Sequence, residues 1–498
     1  MNVLLFNCSW PLLSTLVFLP LAGALPLFLL RGDRAAKVWT LAITLVTAAL
    51  SLQLYTGFDA ATAQFQFAED RVWIPALHIR YTLGVDGISL LLVLLTTLLL
   101  PLCVLCSWRA IGTRVQEFLA CLLLMEAAML GVFVALDFVL FYIFWEAMLI
   151  PMFLLIGVWG GPRKIYASVK FFLYTLAGSV LLPVAILALY WHSAPHTFFI
   201  PALMGQPYGA ALQGWLFLAF FVAFAIKVPM FPFHTWLPAA HVEAPTAGSV
   251  LLASVLLKMG AYGFLRFCLP ITPLGVVAHA PWVLALSVAA IIYGGLTALA
   301  QTDMKRLVAY SSVAHMGFVT LGIFVLNDRG VAGALLQMLN HGVTTGALFL
   351  CVGIIYERTH SRELSAATGI GRLMPIYITA LAFFGLSSFA FPGTNNFVGE
   401  FLVLAGSFAS SAPLAALTIP GVILSAAYML RMLQRMIWGG ARNPDPGPLT
   451  DLNAREFLTL APLLLFVLWV GLQPAPFLNV FKVSVAHLLQ QFHAGLHP

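Results

Sequence analysis

Eight ionisable side chains stand in stretches that are otherwise apolar. They are Glu126 in "CLLLMEAAMLGVF", Glu146 in "FYIFWEAMLIPMF", Lys227 and His234 in "FAIKVPMFPFHTWLPAAHVEAP", Lys258 in "SVLLKMGAYGF", His315, His341, and Glu400 in "TNNFVGEFLVL". A charged side chain at the centre of a membrane helix costs about 2.5–3.5 kcal/mol on insertion scales, so Glu146, Lys227 and Lys258 together cost roughly 8–10 kcal/mol if neither paired nor hydrated. Carboxylate, amine and imidazole all exchange protons. Burial disfavours a charge, and an opposite charge within about 4–6 Å restores it, so a buried lysine facing a carboxylate is a proton switch. Glu146 and Lys227 are read as such a pair, with Lys258 as the next acceptor and His315 and His341 bridging onward to Glu400. For an isolated histidine, and for Glu126, a helix-to-helix hydrogen bond is as good an account as transport.

These residues require a membrane scaffold. The chain has 498 residues, 61% hydrophobic and only 8% charged, far outside the composition of soluble domains. A bilayer core needs about 20 apolar residues per helix. Such stretches recur near residues 9–30, 37–57, 85–107, 114–135, 137–159, 166–190, 211–238, 245–269, 279–300, 306–326, 331–356, 376–410, 413–437 and 456–478. This predicts an all-α polytopic membrane protein of about fourteen spans. Runs such as "LLVLLTTLLLPLCVLC" do not alternate, which excludes an outer-membrane barrel. The first apolar segment lacks the flanks of a signal peptide and is read as a retained span. The connections at 58–84 and 191–210 are too short to fold alone, and a tail after residue 479 amounts at most to one amphipathic surface helix.

Lys and Arg crowd alternate loops: Arg31, Arg34 and Lys37; Arg109 and Arg114; Arg163, Lys164 and Lys170; Lys305 and Arg306; Arg358, Arg362 and Arg372; Arg431, Arg435, Arg442 and Arg455. Arg71, Arg80, Arg266, Arg329 and Lys482 fall on the other face. By the positive-inside rule the crowded face is cytoplasmic and both termini lie outside. Asp137 and Lys305, near helix ends, are read as interfacial. The net charge of +6 reflects this bias; no basic groove or aromatic platform for nucleic acid is present. The lone Cys103/Cys106 pair lacks a second pair and reads as small hydrophobes on a helix face. Nucleotide-binding and zinc-protease motifs are absent.

Pro229 and Pro232 in the seventh span, and Pro392 with Gly393 in the twelfth, predict unwinding midway through each helix. Such backbone survives at membrane depth only where protein or water covers it, so both breaks should line polar cavities. Five spans separate them, and an odd number inserts a second copy upside down. The expected organisation is therefore residues 1–113 as three N-terminal spans and 114–270 as a first five-helix repeat (spans four to eight). An inverted second repeat (spans nine to thirteen) follows over 271–440, then a last span and tail over 441–498.

The run "KVPMFPFHTWLPAAHVEAPTAGSVLLASVLLKMGAYG", with "FWEAMLIPMFLLIGVWG" before it and "PGTNNFVGEFLVL" after it, resembles the antiporter-like membrane subunits of respiratory complex I. The resemblance covers nearly the whole chain and is to the M-type branch: Glu400 stands where L- and N-type subunits and sodium/proton antiporters generally have lysine, and the chain ends about 20 residues after the last span, without the lateral helix of the L type. What the resemblance implies is that Glu146 partners Lys227, Lys258 is the central relay, and Glu400 ends the path near a periplasmic half-channel. His234, His315 and His341 match polar positions of the family's hydrophilic axis, and Glu126 matches a family carboxylate. It implies a proton-translocating subunit of NADH-quinone oxidoreductase in a bacterial inner membrane, with no redox cofactor of its own, electrons passing from NADH to quinone elsewhere. Its expected partners are L- and N-type neighbours, the K, J, A and H types indirectly, lipid, protons and internal water, and no nucleic acid. An Mrp-type cation/proton antiporter or the membrane arm of a membrane-bound hydrogenase shares the fold and the lysines, and a passive spacer is the non-transporting alternative.

Overall fold

With no water in a bilayer core, each apolar run must pair its own backbone amides and carbonyls, and the α-helix does this within one segment. In the computed structural model, which describes residues 3–439 and 449–497, the chain is accordingly almost entirely helical. Arg442 of the arginine-rich face and the expected boundary at 440/441 lie outside the described residues. The helices are α1 (Leu12–Ala24), α2 (Asp33–Thr56), α3 (Gly87–Ala110), α4 (Val115–Val134), α5 (Phe138–Trp159), α6 (Lys164–His192), α7 (Ala210–Lys227), α8 (Trp236–Glu243) and α9 (Thr246–Ile271). They continue as α10 (Pro273–Leu299), α11 (Met304–Phe324), α12 (Asp328–Thr359), α13 (Pro375–Ser388), α14 (Asn395–Ser410), α15 (Ala412–Trp438), α16 (Ala454–Leu472) and α17 (Ala475–Ala494). Among the described residues, 12 helices are long and apolar enough to cross a membrane, and Leu12–Phe28 and Pro375–Ser388 are shorter apolar helices.

Burial sorts these helices. The windows of α9 and α12 are wholly buried and those of α3, α4 and α11 nearly so, whereas in α2, α6, α10, α15 and α16 fewer than half of the residues are buried. The innermost helices carry Glu126, Lys258, His315 and His341. The two halves of the chain meet where α7 packs on α10, α8 on α11, and the start of α9 on α12.

The seventh and twelfth apolar stretches are both interrupted. The seventh ends as helix at Lys227 and resumes at Trp236, and the twelfth stops at Ser388 and resumes at Asn395. At the first break the freed Ile226 carbonyl accepts from Trp236 Nε1 at 2.9 Å, while Met230 N donates to Ala225 O at 2.8 Å. At the second, Gly393 takes φ +90°, a conformation open to glycine at little steric cost. The Asn395 side chain gathers the neighbourhood: its Oδ1 accepts from Ser387 Oγ at 2.6 Å and Thr344 Oγ1 at 3.2 Å, and its carbonyl accepts from Asn340 Nδ2 at 2.7 Å.

The structure departs from expectation at several points. The 58–84 connection holds an antiparallel hairpin, β1 (Gln66–Ile74) with β2 (Ile79–Val85), so the fold is not purely α. Helix α1 starts after Pro11, which offers no capping side chain; Glu69 of the hairpin accepts from Leu13 N at 2.7 Å and Ser14 N at 3.0 Å instead. The last apolar stretch ends at Leu472, and the tail begins earlier than expected. Its helix α17 buries Phe477, Val480, Phe481, Val485, Leu488, Leu489 and Phe492, and Ser484 Oγ accepts from Gly87 N at 3.0 Å. Asp137 and Lys305 are buried and not interfacial. Asp137 caps α5 and accepts from Arg80 N at 3.1 Å, and Lys305 Nζ donates to Ala244 O at 2.6 Å.

Two substitutions test this frame. A Cβ on Gly260 would meet Phe224 O at 2.7 Å and Val228 N at 3.0 Å, the backbone that leads into the first break. Gly260→Val should therefore destabilise the protein by about 1–3 kcal/mol, seen as a lower melting temperature of the purified assembly. Trp236→Phe keeps an aromatic ring but removes the indole N–H and strands the buried Ile226 carbonyl, a loss of about 1–3 kcal/mol. Faster amide exchange across residues 225–235 is the expected readout.

Candidate functional site

In the first half, the break sets Lys227 at the end of α7, where its ammonium is buried without any hydrogen-bond acceptor. Nζ lies 5.2 Å from the centre of the Trp145 ring, a cation-π contact. Glu146, next in sequence to that tryptophan, acts electrostatically on Lys227, but the two form no ion pair within 4.0 Å, and Glu146 Oε1 is buried and unpaired. The expected Glu-Lys pair is thus not closed into an ion pair. His234 follows the break and faces aromatic rings, Tyr293 at 5.1 Å and Phe231 at 5.8 Å, with Nδ1 unpartnered. Glu126 is fully buried on α4, and neither carboxylate oxygen has a partner. Neither His234 nor Glu126 is hydrogen-bonded to the other candidate residues.

The remaining four candidates come together. Helix α9 widens into a π-helical turn over Leu252–Leu256, which turns the Ala253 carbonyl to accept from Lys258 Nζ. Single π-turns of this kind recur at functional sites. Lys258 Nζ also lies 2.6 Å from His341 Nδ1 of α12. That approach depends on Gly342, where a Cβ would sit 2.9 Å from Ser254 O of α9 and 2.6 Å from a Leu95 methyl carbon. His341 and His315 have ring centroids 5.8 Å apart, with His341 Nε2 unpaired. His315 Nδ1 is 2.8 Å from Glu400 Oε1, the same oxygen that accepts from Gln337 Nε2 at 3.0 Å. On its other side His315 Nε2 faces Tyr428 OH at 3.3 Å.

Two hydrogen-bonded pairs, Lys258 with His341 and His315 with Glu400, are therefore joined by a gap of one ring contact. An imidazole can take a proton at one nitrogen and release one from the other. The order Lys258, His341, His315, Glu400 is consistent with stepwise proton transfer, every member being buried. The polar residues flanking it on α12, Gln337, Asn340, His341 and Thr344, repeat at the spacing that shares one helix face.

The sequence reading passed over several polar groups. His241 is buried on α8, stacked 4.5 Å from Phe349 with both ring nitrogens unpartnered, and it interacts electrostatically with Lys258 and Lys305. The only signal for it was its place in the same proline-rich run as His234. Glu243 is buried with Oε2 accepting from Arg163 N at 3.0 Å. Arg266, expected on the sparsely charged outer surface, is instead 5% exposed and paired with Asp86 at 2.6 Å. Arg358, expected in a loop, is largely buried and doubly bonded to Glu456 at 2.7 and 3.1 Å. Cys103 and Cys106 are free.

Residues 135–426 match the family described as NADH:quinone oxidoreductase/Mrp antiporter, TM. The NADH-quinone oxidoreductase subunit M of Rhodobacter capsulatus is 51% identical, the match covering 97% of this chain and 98% of that protein. A chain of the respiratory complex I of Thermus thermophilus with bound NADH superposes with a TM-score of 0.88 at 33% identity, covering 96% of this chain and 99% of that one. A chain of the Mrp complex of Dietzia sp. gives a TM-score of 0.83 at 21% identity, over 97% of this chain and 55% of that one, a likeness of fold alone. By its sequence over nearly its full length, as by its fold, the chain belongs to the subunit M family of NADH-quinone oxidoreductases, the antiporter-like subunits of complex I.

Proposed function

We propose that the chain carries protons across the membrane as a membrane-arm subunit of NADH-quinone oxidoreductase, through Glu146, Lys227, Lys258, His341, His315 and Glu400. The observation that carries this reading is the buried file from Lys258 Nζ to Glu400 Oε1, two hydrogen-bonded pairs bridged by facing imidazoles. Lys227 takes up a proton beside Glu146, whose approach or withdrawal sets how firmly the amine holds it. From Lys258 Nζ the proton passes to His341 Nδ1, leaves from Nε2 to His315, and is handed from Nδ1 to Glu400 Oε1. Water bridges Lys227 to Lys258 and the gap between the two imidazoles. His234 and Glu126 flank the path. Moving one charge against the membrane potential takes about 2.3 kcal/mol per 100 mV, supplied by electrostatic coupling along the axis from quinone reduction in other subunits.

The breaks between α7 and α8 and between α13 and α14 support an inverted pair of five-helix units over 114–270 and 271–440, each with one broken helix. The arginine-rich face is then cytoplasmic in a bacterial inner membrane, with both termini periplasmic. The chain's neighbours in the assembly are L- and N-type subunits, with the K, J, A and H types more remote.

Replacing Lys227 or Glu146 with Ala in the assembled oxidoreductase should abolish most proton pumping in reconstituted vesicles while the complex still assembles. Normal pumping would refute the assignment. His341→Gln keeps a hydrogen-bonding side chain that carries no proton, and coupled turnover should fall about 10²-fold, the low end for a positioned proton-transfer group.

A further inference from the structure

The polar face of helix α9 that meets His341 at Lys258 continues toward the C-terminal end of the helix. Lys258, Tyr262 and Arg266 recur at every fourth residue, so they stack along one side of the helix. Arg266 Nε donates to Tyr262 OH at 3.1 Å, and Tyr262 OH donates in turn to Phe133 O at 3.3 Å. The guanidinium also meets Asp86 Oδ1 at 2.6 Å and lies over the Phe65 ring at 4.9 Å. Asp86 is itself fixed, since the same oxygen accepts from Ile88 N at 3.1 Å and Ser89 N at 3.0 Å as the cap of α3. Both side chains are almost fully buried, at 5% and 6% exposure.

Directly beyond this pair is a cavity of about 540 Å³ whose lining includes Asp86, Arg266, Ser484, His487 and Val3. Val3 and His487 are exposed, so the cavity opens at the surface where the hairpin and α17 meet. Solvent therefore reaches to within eight residues of Lys258 along one helix, about 12 Å at the helical rise. Between that cavity and Lys258 along the helix lies the Arg266 guanidinium, which can donate five hydrogen bonds, accepts none and stays charged at any physiological pH. A fixed positive charge there repels an incoming proton and offers it no site, the means by which other pores exclude protons. A buried ion pair contributes little to stability over an apolar pair of equal volume, so stability by itself does not account for an ionic pair at this position.

We propose that Arg266, clamped between Asp86 and Tyr262, is an electrostatic seal that keeps protons at Lys258 from escaping into the cavity beside α17. The proposal rests on the reading of Lys258 as a proton carrier. It makes Arg266 a barrier residue and keeps it off the transfer path itself.

The test uses the whole oxidoreductase reconstituted in liposomes, with passive proton conductance measured under an imposed pH gradient without NADH, and NADH oxidation measured with uncoupler. Arg266→Gln should raise passive conductance several-fold and lower the net protons pumped per electron, while the uncoupled oxidation rate stays near that of the parent enzyme. Arg266→Lys substitutes an amine that can release its proton when buried, so it should leak more than the parent but less than the glutamine variant. If Arg266→Gln fails to assemble, Asp86→Asn/Arg266→Gln removes both charges from a polar pair of similar shape and should leak in the same way. An assembled glutamine variant as tight as the parent, a lysine variant as leaky as the glutamine one, or failure of both neutral variants to assemble would overturn the seal. Combining Arg266→Gln with Lys258→Met separates the two readings. The leak should vanish if it starts at Lys258; a leak that persists there rejects Lys258 as its source and leaves Arg266 as a barrier to some other route.

Discussion

A helix that unwinds at membrane depth frees amides and carbonyls that lipid cannot satisfy, so protein or water must cover them. Much of this molecule's arrangement follows from two such interruptions. Around the first, Trp236 closes the Ile226 carbonyl and Gly260 brings α9 flush against the loosened backbone. Around the second, Asn395, Asn340, Ser387 and Thr344 form a hydrogen-bonded cluster. In both places part of the cover comes from the most buried helices, Gly260 from α9 and Asn340 and Thr344 from α12, and these same helices carry Lys258 and His341. The covering of the breaks and the assembly of the ionisable file are one packing problem.

The file itself is held by close backbone approach more than by charge. Lys258 reaches His341 because Gly342 lets α12 lie against Ser254 of α9, and because a π-turn aims the Ala253 carbonyl at the same ammonium. By contrast, Lys227 and Glu146 are left apart, with Trp145 beneath the amine. A switch needs two states, and a pair locked in a tight ion pair would be difficult to reopen. The open arrangement suits the role proposed for Lys227, which is to hold a proton and then surrender it.

The ion pairs divide along similar lines. Arg358 with Glu456, and Arg266 with Asp86, are closed and well coordinated, and neither contains a residue of the file. Within the file the partners are neutralisable groups, imidazole, amine and carboxylate, for which a shared proton relieves the penalty of burial. Arginine, which keeps its charge, sits at the edges.

How much was legible in the sequence depends on the kind of signal. Apolar runs of membrane length and the proline interruptions marked the spans and both breaks, because bilayer thickness and the missing proline amide act locally. Charges inside apolar runs marked Lys227, Lys258 and Glu400 for the same reason. The contact of the hairpin's Glu69 with α1, the burial of Asp137 and Lys305, and the Arg266–Asp86 pair were not legible, since each depends on a partner 55 or more residues away: Glu69 lies 56 and 55 residues from Leu13 and Ser14, and Asp86 lies 180 from Arg266. His241 went unremarked because nothing local distinguishes a buried imidazole from an exposed one. The sequence alone determined which residues must be paid for in lipid, since insertion energy is a property of each segment. Only the tertiary structure decided which of them touch, because contact is set by how closely glycines let the helices approach, and that is a property of two segments at once.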